Sequence, residues 1–184
     1  RFRDDRIAIV SHRERSEPVR LTYAQLYDRV ARLAGALKKV GVQRGDRIGG
    51  FMPNISETVV AMLASVSLGA IWSSSSPDFG IKGVLDRFGQ IKPKVLFAAD
   101  GYGYNGKSFD SLERVAGILK ELPSTEKVVV VPNIHDRPNI SGVPNSVLWE
   151  DFISTESNLS IEFDQVPFSH PLYIMYSSGT TGKP

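Results

Sequence analysis

Apolar residues recur along this chain in two alternating patterns, one spaced at three and four positions and one packed into short continuous runs. Leu26, Val30, Leu33, Ala34 and Leu37 share one helical face. Thr22 with Gln25 makes a capping box ahead of them and Gly41 closes the run, which predicts a helix beginning at Thr22. A strand is expected over 47–52. Asn54 with Glu57 repeats the capping logic and opens a second helix, where Val59, Val60, Met62, Leu63, Val66 and Leu68 are too dense for a surface element. That helix should lie between layers. The alternation continues as strand 70–73, helix 80–90, strand 94–98, a glycine loop, helix 108–122 and strand 127–131. Three βα units in succession predict an α/β fold, a mixed-to-parallel sheet layered with helices.

Beyond residue 131 the pattern weakens. Residues 132–144 shift to Pro, Asn, Gly and His, the composition of a surface excursion, and a short helix over 149–153 follows. Glu150, Asp151, Glu156, Glu162 and Asp164 lie in a stretch without Lys or Arg, and a last strand is expected over 172–176.

The chain has 184 residues, enough for one well-packed domain, with 41% apolar and 23% charged residues. There is no cysteine, which excludes disulfides, thiolate metal sites and Cys nucleophiles and fits a reducing, cytoplasmic setting. The net charge is +2, and six Arg against four acids in the first twenty residues leave the remainder balanced, too even for a nucleic-acid reader. Those arginines read as a solvated face. The most apolar stretch, 59–64, is far short of the roughly 20 residues a bilayer demands, so neither a membrane span nor a signal peptide is expected. His12, His135 and His170 are dispersed without metal-ligand spacing, and Trp72 and Trp149 read as core.

Two segments look suited to phosphate. Gly101 to Ser108 fits G-x-x-x-x-G-K-S/T at every fixed position, and Gly101, Gly103 and Gly106 also fit G-x-G-x-x-G. A strand ahead and a helix behind would let backbone N–H groups cradle an anion. Against a P-loop hydrolase, several elements precede this strand, and strand 127–131 ends in Pro132 and Asn133 where a Mg²⁺-holding acid would stand. Against a dinucleotide site, Glu126 lies before that strand rather than at its end. A P-loop, a dinucleotide turn and a plain glycine-rich βα turn remain open here.

The second segment places Ser177, Ser178, Gly179, Thr180, Thr181, Gly182 and Lys183 directly after an apolar strand. Glycines let the backbone approach a polyphosphate, hydroxyls and N–H groups donate to it, and the lysine neutralises charge. The plainer alternative is a polar Ser/Thr/Gly turn.

YSSGTTGKP, residues 176–184, resembles the phosphate loop of the acyl-adenylate-forming superfamily, which includes acyl-CoA synthetases, peptide-synthetase adenylation domains and luciferases. Every position present agrees with that signature, whose final Lys falls one residue past Pro184. Residues 21–37 resemble the family's early LTYAEL-type helix, and Arg44, Gly45, Asp46 and Arg47 its GD-R-V turn. Residues 69–80, GAIWSSSSPDFG, most resemble the acetoacetyl-CoA synthetase branch, with Ser75 in place of its cysteine.

The resemblance implies ATP, Mg²⁺ and CoA. A short acid such as acetoacetate would attack the α-phosphate, and the CoA thiol would then displace AMP. It assigns Ser177, Ser178, Gly179, Thr180, Thr181, Gly182 and Lys183 to the β and γ phosphates, and Ser76, Pro77, Asp78 and Lys107 to CoA. Tyr104 stands where a second basic residue would be expected. Residues 1–184 would be an incomplete N-terminal AMP-binding domain that ends within the phosphate loop, without its C-terminal domain or adenylation lysine, and inactive alone. Small-molecule substrates are expected, with neither nucleic acid nor membrane as partner. A P-loop hydrolase using Gly101 to Ser108 and a non-catalytic interaction module remain as alternatives.

Overall fold

The computed structural model describes residues 3–14, 17–154 and 160–177. A hairpin comes first, β1 (Ile7–Ser11) antiparallel to β2 (Val19–Thr22), a pairing the arginine-rich sequence concealed. Helix α1 (Tyr23–Lys39) follows with the expected capping box: Gln25 N–H donates to Thr22 Oγ1 at 3.2 Å and Thr22 N–H to Gln25 Oε1 at 2.9 Å. Then come β3 (Arg47–Phe51), α2 (Ser56–Ser67), β4 (Ile71–Ser75), α3 (Ile81–Ile91) and β5 (Val95–Ala99). The short strands β6 (Gly101–Tyr104) and β7 (Lys107–Asp110) lead into α4 (Leu112–Lys120), β8 (Lys127–Val131), β9 (Ser146–Leu148) and α5 (Trp149–Ser154).

The main sheet has the order β4-β3-β5-β8-β9, and all its pairings are parallel. A parallel sheet must be covered on both faces, and here side chains alternate between two cores. Val95, Phe97, Ala99, Val129 and Val131 face α1, α2 and α5, with Ile48 and Trp72 from the neighbouring strands. Leu96, Ala98, Val128 and Val130 face α3 and α4, joined by Phe51 and Leu148. Every residue of β5 is buried. The expected α/β fold is therefore realised as a three-layer, doubly wound domain. Helix α2 has no exposed residue and packs against α1, β3 and β4, as its apolar density required.

Several local expectations need correcting. Asn54 does not cap α2; Ile55 takes the N-cap position without a side-chain bond, because its buried apolar side chain joins the core. Glu57 instead turns to Ser56, Arg13 and Arg29. The excursion 132–144 returns as β9, whose three residues are too few to show a period, and on the way Ile140 and Val143 pack against the α3/α4 face. The strand expected over 172–176 is reduced to one parallel bridge, Trp72 with Tyr173, beside the edge strand β4. Trp72 and Trp149 are core, at 4% and 3% exposed. The first arginines are not simply solvated: Arg13 pairs with Glu57 at 3.4 Å, and Arg3 stacks 3.4 Å from the Tyr27 ring centre.

Candidate functional site

The chain passes from β3 to β4 on one side and then to β5 on the other, so the winding reverses between β3 and β5. In open α/β sheets the crevice beyond the carboxyl ends of the strands near such a reversal is where ligands bind. Both segments assigned to CoA leave that edge. Ser76, Pro77 and Asp78 follow β4 directly, and the segment bearing Lys107 follows β5.

The second segment is not the loop its glycines suggested. Gly101 pairs with Asp110, Tyr102 with Phe109, Gly103 with Ser108 and Tyr104 with Lys107, so Gly101 to Ser108 folds into an antiparallel hairpin. Its turn is Asn105–Gly106, at φ 48° and 73°. Two successive residues of positive φ make a type I′ turn, whose twist matches paired strands and which Asn-Gly favours. Ser108 lies in β7, and α4 begins only at Leu112, so no helix N-terminus cradles an anion at Lys107–Ser108. That removes the structural basis of both the P-loop and the dinucleotide reading, and it corrects the helix expected from residue 108. The Asp110 carboxylate receives the Leu112 N–H at 2.8 Å at the start of α4.

Arg114, on α4, joins the two segments expected to meet CoA. Its Nη1 donates to the Pro77 carbonyl at 2.7 Å, and its guanidinium lies 5.9 Å from the Tyr102 ring centre. Tyr102 in turn stacks on Phe109, with 5.2 Å between ring centres. Ser76, Asp78 and Lys107 are exposed, while Pro77 is buried beneath this bridge. Arg114 had no local mark in the sequence, since the groups it joins are far from it along the chain.

Asp100 at the end of β5 is fully buried, and its carboxylate accepts from the N–H groups of Asn133, Ile134 and His135 at 2.6, 3.0 and 3.0 Å. His135 Nδ1 lies 2.9 Å from the same carboxylate. His135 is thus bound to a structural acid, and His170 Nε2 meets the Gly69 carbonyl at 2.9 Å. Among the described residues no group of three His, Cys, Asp or Glu comes together to hold a metal.

Beside β4, a cavity of about 640 Å³ is lined by Trp72, Ser74, Ser76, Phe79, Arg87 and Tyr176. The Tyr176 hydroxyl donates to the Arg87 carbonyl at 2.7 Å, and burial pushes its phenol above the usual range. Ser75, where the resembling branch has cysteine, is buried, and its hydroxyl has no hydrogen-bond partner among the described residues. Ser177 is exposed at the end of this segment, while Ser178, Gly179, Thr180, Thr181, Gly182 and Lys183 lie outside the described residues.

A doubly wound sheet whose carboxyl edge meets a hairpin and a polar turn has the crevice in which such folds bind ligands, and the family comparison is specific. The chain belongs to the AMP-binding enzyme family, which it matches over residues 1–184. It is 50% identical to acetoacetyl-CoA synthetase from Gallus gallus over 98% of this chain and 28% of that protein. Acetoacetyl-coenzyme A synthetase from Rhizobium meliloti is 46% identical over 96% of this chain and 27% of its own length. The solved acetoacetyl-CoA synthetase from Streptomyces lividans superposes with a TM-score of 0.89 at 42% identity, over 98% of this chain and 27% of that one. The chain therefore spans little more than a quarter of the length of these relatives. No helix among the described residues is long and apolar enough to cross a membrane.

Proposed function

We propose that this chain is the first part of the AMP-binding domain of an ATP-dependent acid–thiol ligase that forms acetoacetyl-CoA from acetoacetate, ATP and CoA. The observation that carries the reading is the 50% identity to an acetoacetyl-CoA synthetase across almost all of the chain. The acetoacetate carboxylate attacks the α-phosphate and pyrophosphate leaves; the CoA thiolate then attacks the acyl carbon and AMP leaves. Ser177, Ser178, Gly179, Thr180, Thr181, Gly182 and Lys183 hold the β and γ phosphates and stabilise the charge that moves onto pyrophosphate. Mg²⁺ would enter with ATP and help neutralise the charge on its phosphates, as suits an ion that takes few protein carboxylates. Ser76, Pro77 and Asp78 line the path of the CoA nucleotide, and Lys107 meets a CoA phosphate. The support for this second assignment is that both segments leave one edge of one sheet and are tied by Arg114.

The test is an assay of the complete ligase for AMP and acyl-CoA, with acetoacetate against other short acids. Acetoacetate-dependent release of AMP and acetoacetyl-CoA is expected. ATP hydrolysis that needs neither acid nor CoA would return the hydrolase reading, and absence of nucleotide binding would leave an interaction module.

A further inference from the structure

The turn of the β6–β7 hairpin already holds an anion. Asn105 and Gly106, both at positive φ, present consecutive backbone N–H groups to one side, the concave arrangement that captures anions. The occupant is the Glu14 carboxylate: Asn105 N–H donates to Oε1 at 3.1 Å and Gly106 N–H to Oε2 at 2.8 Å. Glu14 lies on the connection between β1 and β2, 91 residues before Asn105. On the outer strand only Phe109, stacked on Tyr102, has an aromatic tie, and that contact lies away from the turn. All four residues of β7 are exposed, and an isolated hairpin of this length is marginal in water. The base of the hairpin is held by Gly101, against which Ile134 and the Phe109 carbonyl pack too closely to admit a Cβ. Its tip is held by Glu14, and Lys107 follows directly after the two donors.

We infer that Glu14 is a positioning residue for the CoA phosphate: by clamping the Asn105–Gly106 turn it fixes where the hairpin presents the Lys107 ammonium. The inference rests on the assignment of Lys107 to CoA made above. Both carboxylate oxygens are engaged by N–H donors, so the hydrogen-bonding capacity of Glu14 is directed at the turn and not at Lys107. Lys107 makes no recorded ion pair with Glu14 or any other acid among the described residues. The turn is thus held by one charge and the ammonium is left for another.

The test is steady-state kinetics of the complete ligase carrying Glu14→Ala, Lys107→Ala or both, with melting temperatures recorded alongside. Glu14→Ala is expected to raise the KM for CoA roughly threefold to tenfold, the scale of one ordinary net hydrogen bond as befits an indirect effect, with kcat and the KM for ATP unmoved. Glu14→Gln, which keeps one acceptor oxygen, should fall between. The double variant should be no worse than Lys107→Ala alone, since residues acting through one group are not additive. A Lys107→Ala variant with an unchanged KM for CoA overturns the CoA assignment, and the role of Glu14 with it. A raised KM in Lys107→Ala with an unchanged or lowered one in Glu14→Ala overturns the positioning role alone. So does a Glu14→Ala variant that raises the KM values for CoA and ATP equally, which would mark a general structural contact.

Discussion

Strand β5 and the hairpin that follows it are separated by a single residue, yet they are held by different forces. In β5 all five residues are buried, and Phe97 sits at 0% exposed with Trp72 and Trp149 ring centres at 6.2 and 5.9 Å. Its position follows from burial, and the sheet on either side makes alternatives costly. The hairpin has little to bury and is placed by polar and aromatic ties: Glu14 at the turn, and Arg114 beside Tyr102. The contrast suits a binding device. A rigid strand end carries an outlying hairpin whose lysine stands free of the core, and only a few bonds set its angle.

The comparison can be broken most forcefully inside β5. Phe97→Ala should cost about 3–5 kcal/mol, the range for emptying a buried aromatic site, read as a lower denaturant midpoint in urea unfolding. The junction comes next. Asp100→Ala removes an acceptor from three backbone N–H groups and should cost about 2–3 kcal/mol, checked by the same titration. The hairpin itself should respond least: Gly106→Ala forces a Cβ into φ 73° and should cost about 1–2 kcal/mol. Hydrogen exchange should show that loss at β6 and β7 while the amides of β5 stay protected.

Burial also decided what was legible in the sequence. Strands β5 and β8 were readable as continuous apolar runs, and helices α1 and α3 because each carries enough apolar residues at helical spacing. Helix α1 was readable even to its Thr22–Gln25 cap. The hairpin was not, because Gly101, Gly103, Gly106 and Lys107 reproduce the pattern of a phosphate loop, and that pattern is silent about backbone angles. Asn105–Gly106 was the available clue, since it is a strong two-residue hairpin turn. Glu14 and Arg114 were unreadable for another reason: their partners are 91 and 37 residues away, and no local pattern links them. At Asn54 a polar capping residue lost to the burial of Ile55 one position later. Residues 177–183, expected from the sequence to form a phosphate loop, stood out by composition, and the family match over residues 1–184 accords with the resemblance they carried.

The central claim is that the carboxyl edge of the sheet, through the hairpin, presents Lys107 to a phosphate of CoA. Titration calorimetry of the complete ligase with CoA and with dephospho-CoA, for the native protein and for Lys107→Ala, tests it most directly. Lys107→Ala should weaken CoA binding while leaving ATP affinity unchanged, and loss of the preference for CoA over dephospho-CoA would place the lysine at the 3′-phosphate, its retention at the diphosphate. Native affinity of Lys107→Ala for both CoA and dephospho-CoA would contradict the account.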